Sequence, residues 1–224
     1  IRFIAPAILH GGNPLVISLV GVCALIIPMF YLGHGWNKRT TIAALATFIS
    51  VILATITASI FVSLTRLAGL GSEEAAFLQF SAEQSLNLRG LLLGGMIIGA
   101  LGVLDDITIA QTTAIAELKE VNHTLTSWDL YRRGLKLGRE HIASLVNTLA
   151  LAYVGASFPL FLLFTLNTSQ PVWTIINSEI IAEEIIRALV GSMALVLAVP
   201  IASALAAYTF GHVRRGSNRK HNNS

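Results

Sequence analysis

The chain alternates long apolar runs with short polar connections. Five runs approach or exceed the roughly 20 apolar residues that a helix needs to cross a bilayer, at residues 14–32, 41–64, 88–106, 142–166 and 185–210, and the third leaves open an extension to residue 118. Backbone polar groups in lipid must be satisfied within their own segment, so each run predicts a transmembrane helix. We therefore expect an all-α polytopic membrane helical bundle with about five complete transmembrane helices and short interfacial helices.

The segments around these runs complete the predicted organisation. Residues 1–12 are predicted to be the end of a truncated preceding helix, residues 13–212 a single transmembrane helical domain, and residues 213–224 a basic tail. Of the 224 residues, 54% are hydrophobic and only 12% are charged, and the mean hydropathy is +0.71. That charged share is about half that of an ordinary soluble domain, which excludes the soluble globular class.

Basic residues concentrate in three connections that alternate to one side of the predicted bundle. Residues 33–40, 119–140 and the tail hold eleven of the fifteen lysines and arginines. The positive-inside rule places these connections and the C-terminus in the cytoplasm. The tail is expected to contact anionic lipid, and no nucleic-acid partner is expected.

Two connections before spans carry helix-start patterns. Ser72 is predicted to cap a helix over residues 71–80, and Ser178 to cap the segment that leads into the last span. Glu183 stands four residues before Arg187, a spacing that favours an ion pair along a helix. Residues 127–141 mix leucines with charges and are predicted to lie along the inner membrane interface.

The third span carries closely spaced glycines. They form overlapping pairs of small residues four apart, the pattern that lets helix backbones approach closely in lipid: Gly90, Gly94, Gly95, Gly99 and Gly102. This span is therefore predicted to be a packing helix.

A polar stripe follows these glycines on the same predicted helix. At about 100° per residue, one face holds Asp105, Thr108, Gln111 and Thr112, while Asp106 begins another. Three interpretations of the aspartates compete: they emerge at the cytoplasmic interface and cap a following helix, they lie within the membrane on an ion or proton path, or they are catalytic.

The fourth span begins with a matching set of polar residues. His141, Ser144, Asn147 and Thr148 fall within about 120° of one another around the helix. In one interpretation they bond across to another helix or to water. In the other they face the aspartates, Thr108 and Gln111 around a polar cavity open to the cytoplasm, where His141 is the titratable group.

The chemical motifs of common membrane enzymes are missing from the sequence. An aspartyl protease needs two carboxylates that approach from different helices and share a proton. Asp105 and Asp106 are neighbours on one helix and point about 100° apart, so they do not fit that arrangement. The six histidines are predicted to scatter over both sides of the membrane, and Cys23 is the only cysteine. We therefore expect no catalytic residues, no metal site and no cofactor.

Three long blocks resemble the YibE/F-like family of bacterial membrane proteins. They are GALGVLDDITIAQTTAIAEL at 99–118, RRGLKLGREHIASLVNTLALAYVGASFPL at 132–160 and NSEIIAEEIIRALVGSMALVLAVP at 177–200. The resemblance implies a multi-pass protein of the bacterial plasma membrane. It supplies no substrate and no catalytic residues.

These observations favour a non-enzymatic transporter, or a transport-associated protein, for a small ion or solute. Its polar site is predicted between the third and fourth complete spans. The alternatives are a noncatalytic membrane subunit that assembles with another membrane protein or with itself, and a membrane-embedded hydrolase. The expected partners are the lipid bilayer, a second copy or another membrane protein, and an unidentified small ion or solute.

Overall fold

The computed structural model describes residues 4–81, 86–166 and 171–212, and these residues form helices and no strand. The helices are α1 (Ile4–Leu9), α2 (Pro14–His34), α3 (Lys38–Leu64), α4 (Glu73–Ser81), α5 (Leu88–Val121), α6 (Ser127–Ala156), α7 (Phe158–Leu166), α8 (Val172–Ile176) and α9 (Glu179–Gly211). The predicted all-helical bundle is confirmed.

Helices α3, α5 and α9 form the centre of the bundle, because each packs against the other two. Helix α2 packs on α3 and α5, and α6 packs on α5 and α9. Helices α2, α5 and α9 run in one direction and α3 and α6 in the other. We call the end that holds the α2–α3 turn, the α5–α6 turn and Gly211 the basic end, after the lysines and arginines of the helix ends that flank those turns.

Small side chains let the central helices approach closely. Ala43 and Ala54 of α3 and Ala198 of α9 are fully or almost fully buried and belong to the same apolar cluster as Leu104 and Leu195. Close approach of this kind gains van der Waals contact, which drives helix association in lipid.

Four helices of the described chain are long and apolar enough to cross a membrane: α2, α3, α5 and α9. The pair α6 and α7 makes a fifth span when taken together, with a bend of 53° between them. The fourth predicted span, 142–166, is therefore not one straight helix. Pro159 lacks a backbone N–H and cannot extend the hydrogen-bond ladder of α6.

Residues 127–141 are not a separate interfacial helix, which corrects the prediction. They form the first half of the continuous helix α6, which starts at a capping box between Thr126 and Asp129. Leu130, Gly134 and Gly138 are buried against the bundle. The two glycines provide the room that keeps this half of α6 on α5 and α9. The basic tail at 213–224 lies outside the described residues.

The predicted cap at Ser72 is present, whereas the predicted cap at Ser178 is not. The Ser72 hydroxyl accepts a hydrogen bond from the Ala75 amide at 3.1 Å, which confirms the cap. Ser178 occupies the N-cap position of α9, but its side chain forms no capping bond. Glu183 does not pair with Arg187, which lies 3.6 Å from Glu184. Glu183 turns instead toward the loop before α4, described below.

The glycines of α5 divide between two surfaces. A side-chain carbon added at Gly94 would overlap Ser18 of α2, and one added at Gly90 would lie 3.2 Å from Pro14. These two glycines provide close packing. A carbon added at Gly95 or Gly102 would meet nothing within 4 Å, and at Gly99 it would meet only the Tyr153 hydroxyl, at 3.8 Å. The last three therefore lie on an open face of α5 in the described chain.

Candidate functional site

Gln111 is the polar centre of the bundle. Its side chain is 3% exposed, and Nε2 donates to the Gly134 carbonyl at 2.7 Å and to the Ser203 hydroxyl at 2.8 Å. These bonds join α5 to both α6 and α9. Because Gly138 has no side chain, the carbonyl oxygen of Gln111 has room beside it. No donor in the described part of the chain bonds that oxygen.

A pocket of about 460 Å³ opens between α5 and α6 beside Gln111. It is lined by Ala110, Gln111, Ala114, Leu137, Glu140, His141, Ser144 and Leu145. The structure thus brings together three of the predicted site residues, Gln111, His141 and Ser144. These residues line a space large enough for a small hydrated solute.

Thr108 and Thr112 lie on the interior side of α5, away from this pocket. The Thr108 hydroxyl is 2.6 Å from the hydroxyl of Thr47 on α3, and both residues are fully buried. Thr112 is also fully buried, and its hydroxyl has no hydrogen-bond partner in the described ranges. These threonines therefore belong to the α3–α5 interface.

The two aspartates separate around α5. Asp105 is half-buried on the flank of α5 near His34 at the end of α2, and one of its carboxylate oxygens is buried without a partner among the described residues. Asp106 is exposed. Neither forms a hydrogen bond with α6 in the described chain. Adjacent helical residues point about 100° apart, so the two carboxylates cannot serve one site.

Asn147 and Thr148 are exposed on α6 and do not line the pocket. The Thr148 hydroxyl donates to the Ser144 carbonyl of its own helix at 3.0 Å. The expected meeting of these residues with the aspartates does not occur within one chain.

Several residues of the site were not predicted from the sequence. Ser203, Glu140 and the glycine pair Gly134 and Gly138 all touch Gln111 or line the pocket. The four-residue spacing of the glycines is the small-residue signal seen in α5. Lysine and arginine surround this pair, so hydropathy gives no sign of close packing there.

A second polar cluster lies at the opposite end of the bundle. One carboxylate oxygen of Glu179 accepts hydrogen bonds from the amides of Ala68, Gly69 and Leu70, at 2.6, 2.8 and 3.3 Å. Glu183, 5% exposed, accepts one from Gly71 at 2.9 Å. The cluster fixes the loop after α3 onto the start of α9. The glycines matter here, since Gly69 has a φ of 87° and a side chain on Gly71 would overlap the Glu183 carboxylate.

Comparison with protein families confirms the family resemblance of the three sequence blocks. The family model described as YibE/F-like protein matches residues 1–212. The chain belongs to the YibE/F-like family. Comparisons with curated proteins and with solved structures find no match. Family membership and the long apolar helices together make this YibE/F-like protein a multi-pass membrane protein.

Proposed function

We propose that this YibE/F-like protein moves a small ion or polar solute across the bacterial plasma membrane through the pocket between α5 and α6. The observation that carries the proposal is the arrangement of Gln111, which is held by two hydrogen bonds and keeps its carbonyl oxygen available beside the pocket. The positive-inside rule supports an orientation with the basic end in the cytoplasm.

The pocket lining suits a cation or a hydrogen-bonding solute. Besides the Gln111 oxygen, the lining includes the Glu140 carboxylate, the Ser144 hydroxyl and the His141 ring. All four are exchangeable ligands for water, a cation or a small polar molecule. The volume corresponds to roughly fifteen water molecules at about 30 Å³ each.

An apolar layer closes the route beyond the pocket. Ile107, Leu104 and Leu101 of α5 and Leu195 of α9 are buried on the side away from the basic end. Passage therefore requires α6 to move relative to α5 and α9. The bond between Gln111 and Gly134 joins α5 to α6, so it must break during that movement.

Gln111→Leu is expected to reduce flux at least tenfold, because leucine keeps the volume but removes every polar contact of this side chain. Proteoliposomes provide the measurement, with K⁺ and proton flux followed by dyes and glycerol entry by light scattering. Thr55→Val is the matched control, since the Thr55 hydroxyl bonds only its own helix, to the Val51 carbonyl at 2.8 Å. Equal flux in Gln111→Leu and wild type would contradict the proposal.

A second candidate function is supported by the open face of α5. Gly95, Gly99 and Gly102 leave room for another helix, which favours a noncatalytic membrane subunit. Such a subunit would assemble normally with Gln111→Leu, whereas a transporter loses its flux.

A further inference from the structure

The bundle has apolar and polar surfaces at the same depth. Thr47 and Thr108 are in contact, so α3 and α5 are level at these residues. On the α3 side, Leu45 and Phe48 are 50% and 39% exposed, as lipid-facing residues are. On the side toward α6, Asp106 is exposed near this level. A carboxylate facing lipid is costly, by about 2.5–3.5 kcal/mol at a helix centre and less toward its ends, so this side needs a cover other than lipid.

The uncovered surface combines the outer side of α5 with the adjoining edge of α6, and we call it the α5–α6 face. It includes Gly102, Asp106 and Glu117 of α5 and Arg133, Ser144 and Asn147 of α6. A partner backbone can approach α5 closely at Gly102, where a side-chain carbon would meet nothing within 4 Å.

The charges of this face are arranged for self-association. A side-chain carbon on Gly134 would lie 2.7 Å from Ile115, so α5 and α6 are level there. Because the helices are antiparallel and rise 1.5 Å per residue, Glu117 and Arg133 differ in height by only about 1.5 Å. Both are exposed, and neither forms a salt bridge within residues 4–81, 86–166 and 171–212.

We propose that a second copy of this chain covers the α5–α6 face, related by a two-fold axis parallel to the helices. Such an axis preserves height, so α5 of each copy packs against α6 of the other. Glu117 then meets the partner's Arg133. Asp106 meets the partner's Asn147 and Ser144, and Gly102 lies level with the partner's Asn147. Side chains that do not meet within one chain thus meet between two.

The dimer goes beyond the proposed function, because it completes the enclosure of the pocket. The pocket between α5 and α6 opens on this face, so the second copy shields it from lipid. Lipid alone does not match a surface that carries the Asp106 carboxylate at the depth of Leu45 and Phe48. The acidic edge on α5 and the basic edge on α6 lie at equal height. In a two-fold dimer the acidic edge of each copy therefore meets the basic edge of the other.

Charge reversal tests the dimer in the full-length protein. The fraction of dimer is measured in liposomes by single-molecule photobleaching over a range of protein-to-lipid ratios. Glu117→Arg and Arg133→Glu alone are each expected to weaken dimerisation at least tenfold, because symmetry places two like-charge contacts in each variant dimer. The double variant Glu117→Arg/Arg133→Glu is expected to recover the wild-type dimer. Arg139→Glu, an exposed reversal about 120° around α6 from Arg133 and away from the α5–α6 face, is the control and is expected to dimerise normally.

Cysteine cross-linking provides an independent test that requires no charge change. In a Cys23→Ala background, one copy carries Gly102→Cys and a differently tagged copy carries Asn147→Cys. Oxidation is expected to give a band at twice the 24.0 kDa chain mass. Replacing the second cysteine by Ile56→Cys, on the exposed side of α3, is expected to give none.

Three results would overturn the dimer. They are a monomeric wild type at all ratios, single reversals that match Arg139→Glu, or a folded double variant that stays monomeric together with no cross-link between the Gly102→Cys and Asn147→Cys copies. A monomer that still passes solute would reject the dimer and keep the proposed transport. A dimer whose flux is unaffected by Gln111→Leu would keep the dimer and reject the proposed transport route.

Discussion

Gly94→Leu is expected to lower the free energy of unfolding by about 3 kcal/mol, because leucine has no space between α5 and α2. A side-chain carbon at Gly94 would overlap the Ser18 hydroxyl and lie 3.0 Å from the Ser18 Cβ. Helix α2 would have to move away, which would open the apolar contacts around Val22 and Ile26. Detergent-driven unfolding followed by tryptophan fluorescence measures the change.

The neighbouring glycine is the matched control for this prediction. Gly95→Leu adds the same side chain one residue later, where nothing lies within 4 Å. Its unfolding free energy is expected to stay within about 0.5 kcal/mol of wild type in monomeric detergent preparations. Equal destabilisation by the two substitutions would show that α5 does not have the rotation described here.

Glu183→Ala is expected to release the loop after α3 and to cost about 2 kcal/mol. The Gly71 amide would lose a charge-assisted hydrogen bond in a buried position, and bonds of that kind contribute about 1.5–3 kcal/mol. Hydrogen exchange of the Gly71 amide reports the local opening directly. It should accelerate roughly thirty-fold, since each 1.4 kcal/mol is a factor of ten.

Two variants separate this contact from general damage to α9. Glu183→Gln retains an oxygen that accepts from Gly71 but loses the charge, so its exchange is expected to accelerate clearly less than in Glu183→Ala. Glu184→Ala removes a partly exposed partner of Arg187, and exposed pairs contribute at most about 1 kcal/mol. Fast exchange in Glu184→Ala, or slow exchange in Glu183→Ala, would contradict the assigned role of Glu183.

The positions of the spans could be predicted from the sequence, because the hydropathy of a segment depends only on its own residues. The first and last residues of the helices were harder to predict, because packing against other helices determines them. Helix α5 continues to Val121 because its polar residues after Leu104 alternate between the bundle interior and an exposed face. Residues 127–141 stay on the bundle because Gly134 and Gly138 fit against Ile115 and Val199.

The candidate site was predictable where helical phase alone determines position. Gln111, His141 and Ser144 converge at one pocket, as the facing polar stripes of two adjacent spans indicated. The aspartates do not, because Asp105 lies on the flank near α2 and Asp106 is exposed. Sequence spacing carries no information about where α2 packs. The contact between Glu183 and Gly71 joins residues 112 apart, and no local pattern predicts such a pairing.

The turn between α5 and α6 offers a practical attachment point for imaging. Helix α5 has 34 residues, or about 51 Å at 1.5 Å per residue, against a hydrocarbon thickness of about 30 Å. The short connection to α6 is braced by the Lys119 ammonium group, which donates to the Leu125 carbonyl at 2.7 Å. A helical scaffold inserted between His123 and Thr124 leaves this contact and the Thr126 cap of α6 in place. It would therefore inherit a fixed orientation, giving this 24.0 kDa protein the added mass that particle alignment in cryo-electron microscopy requires.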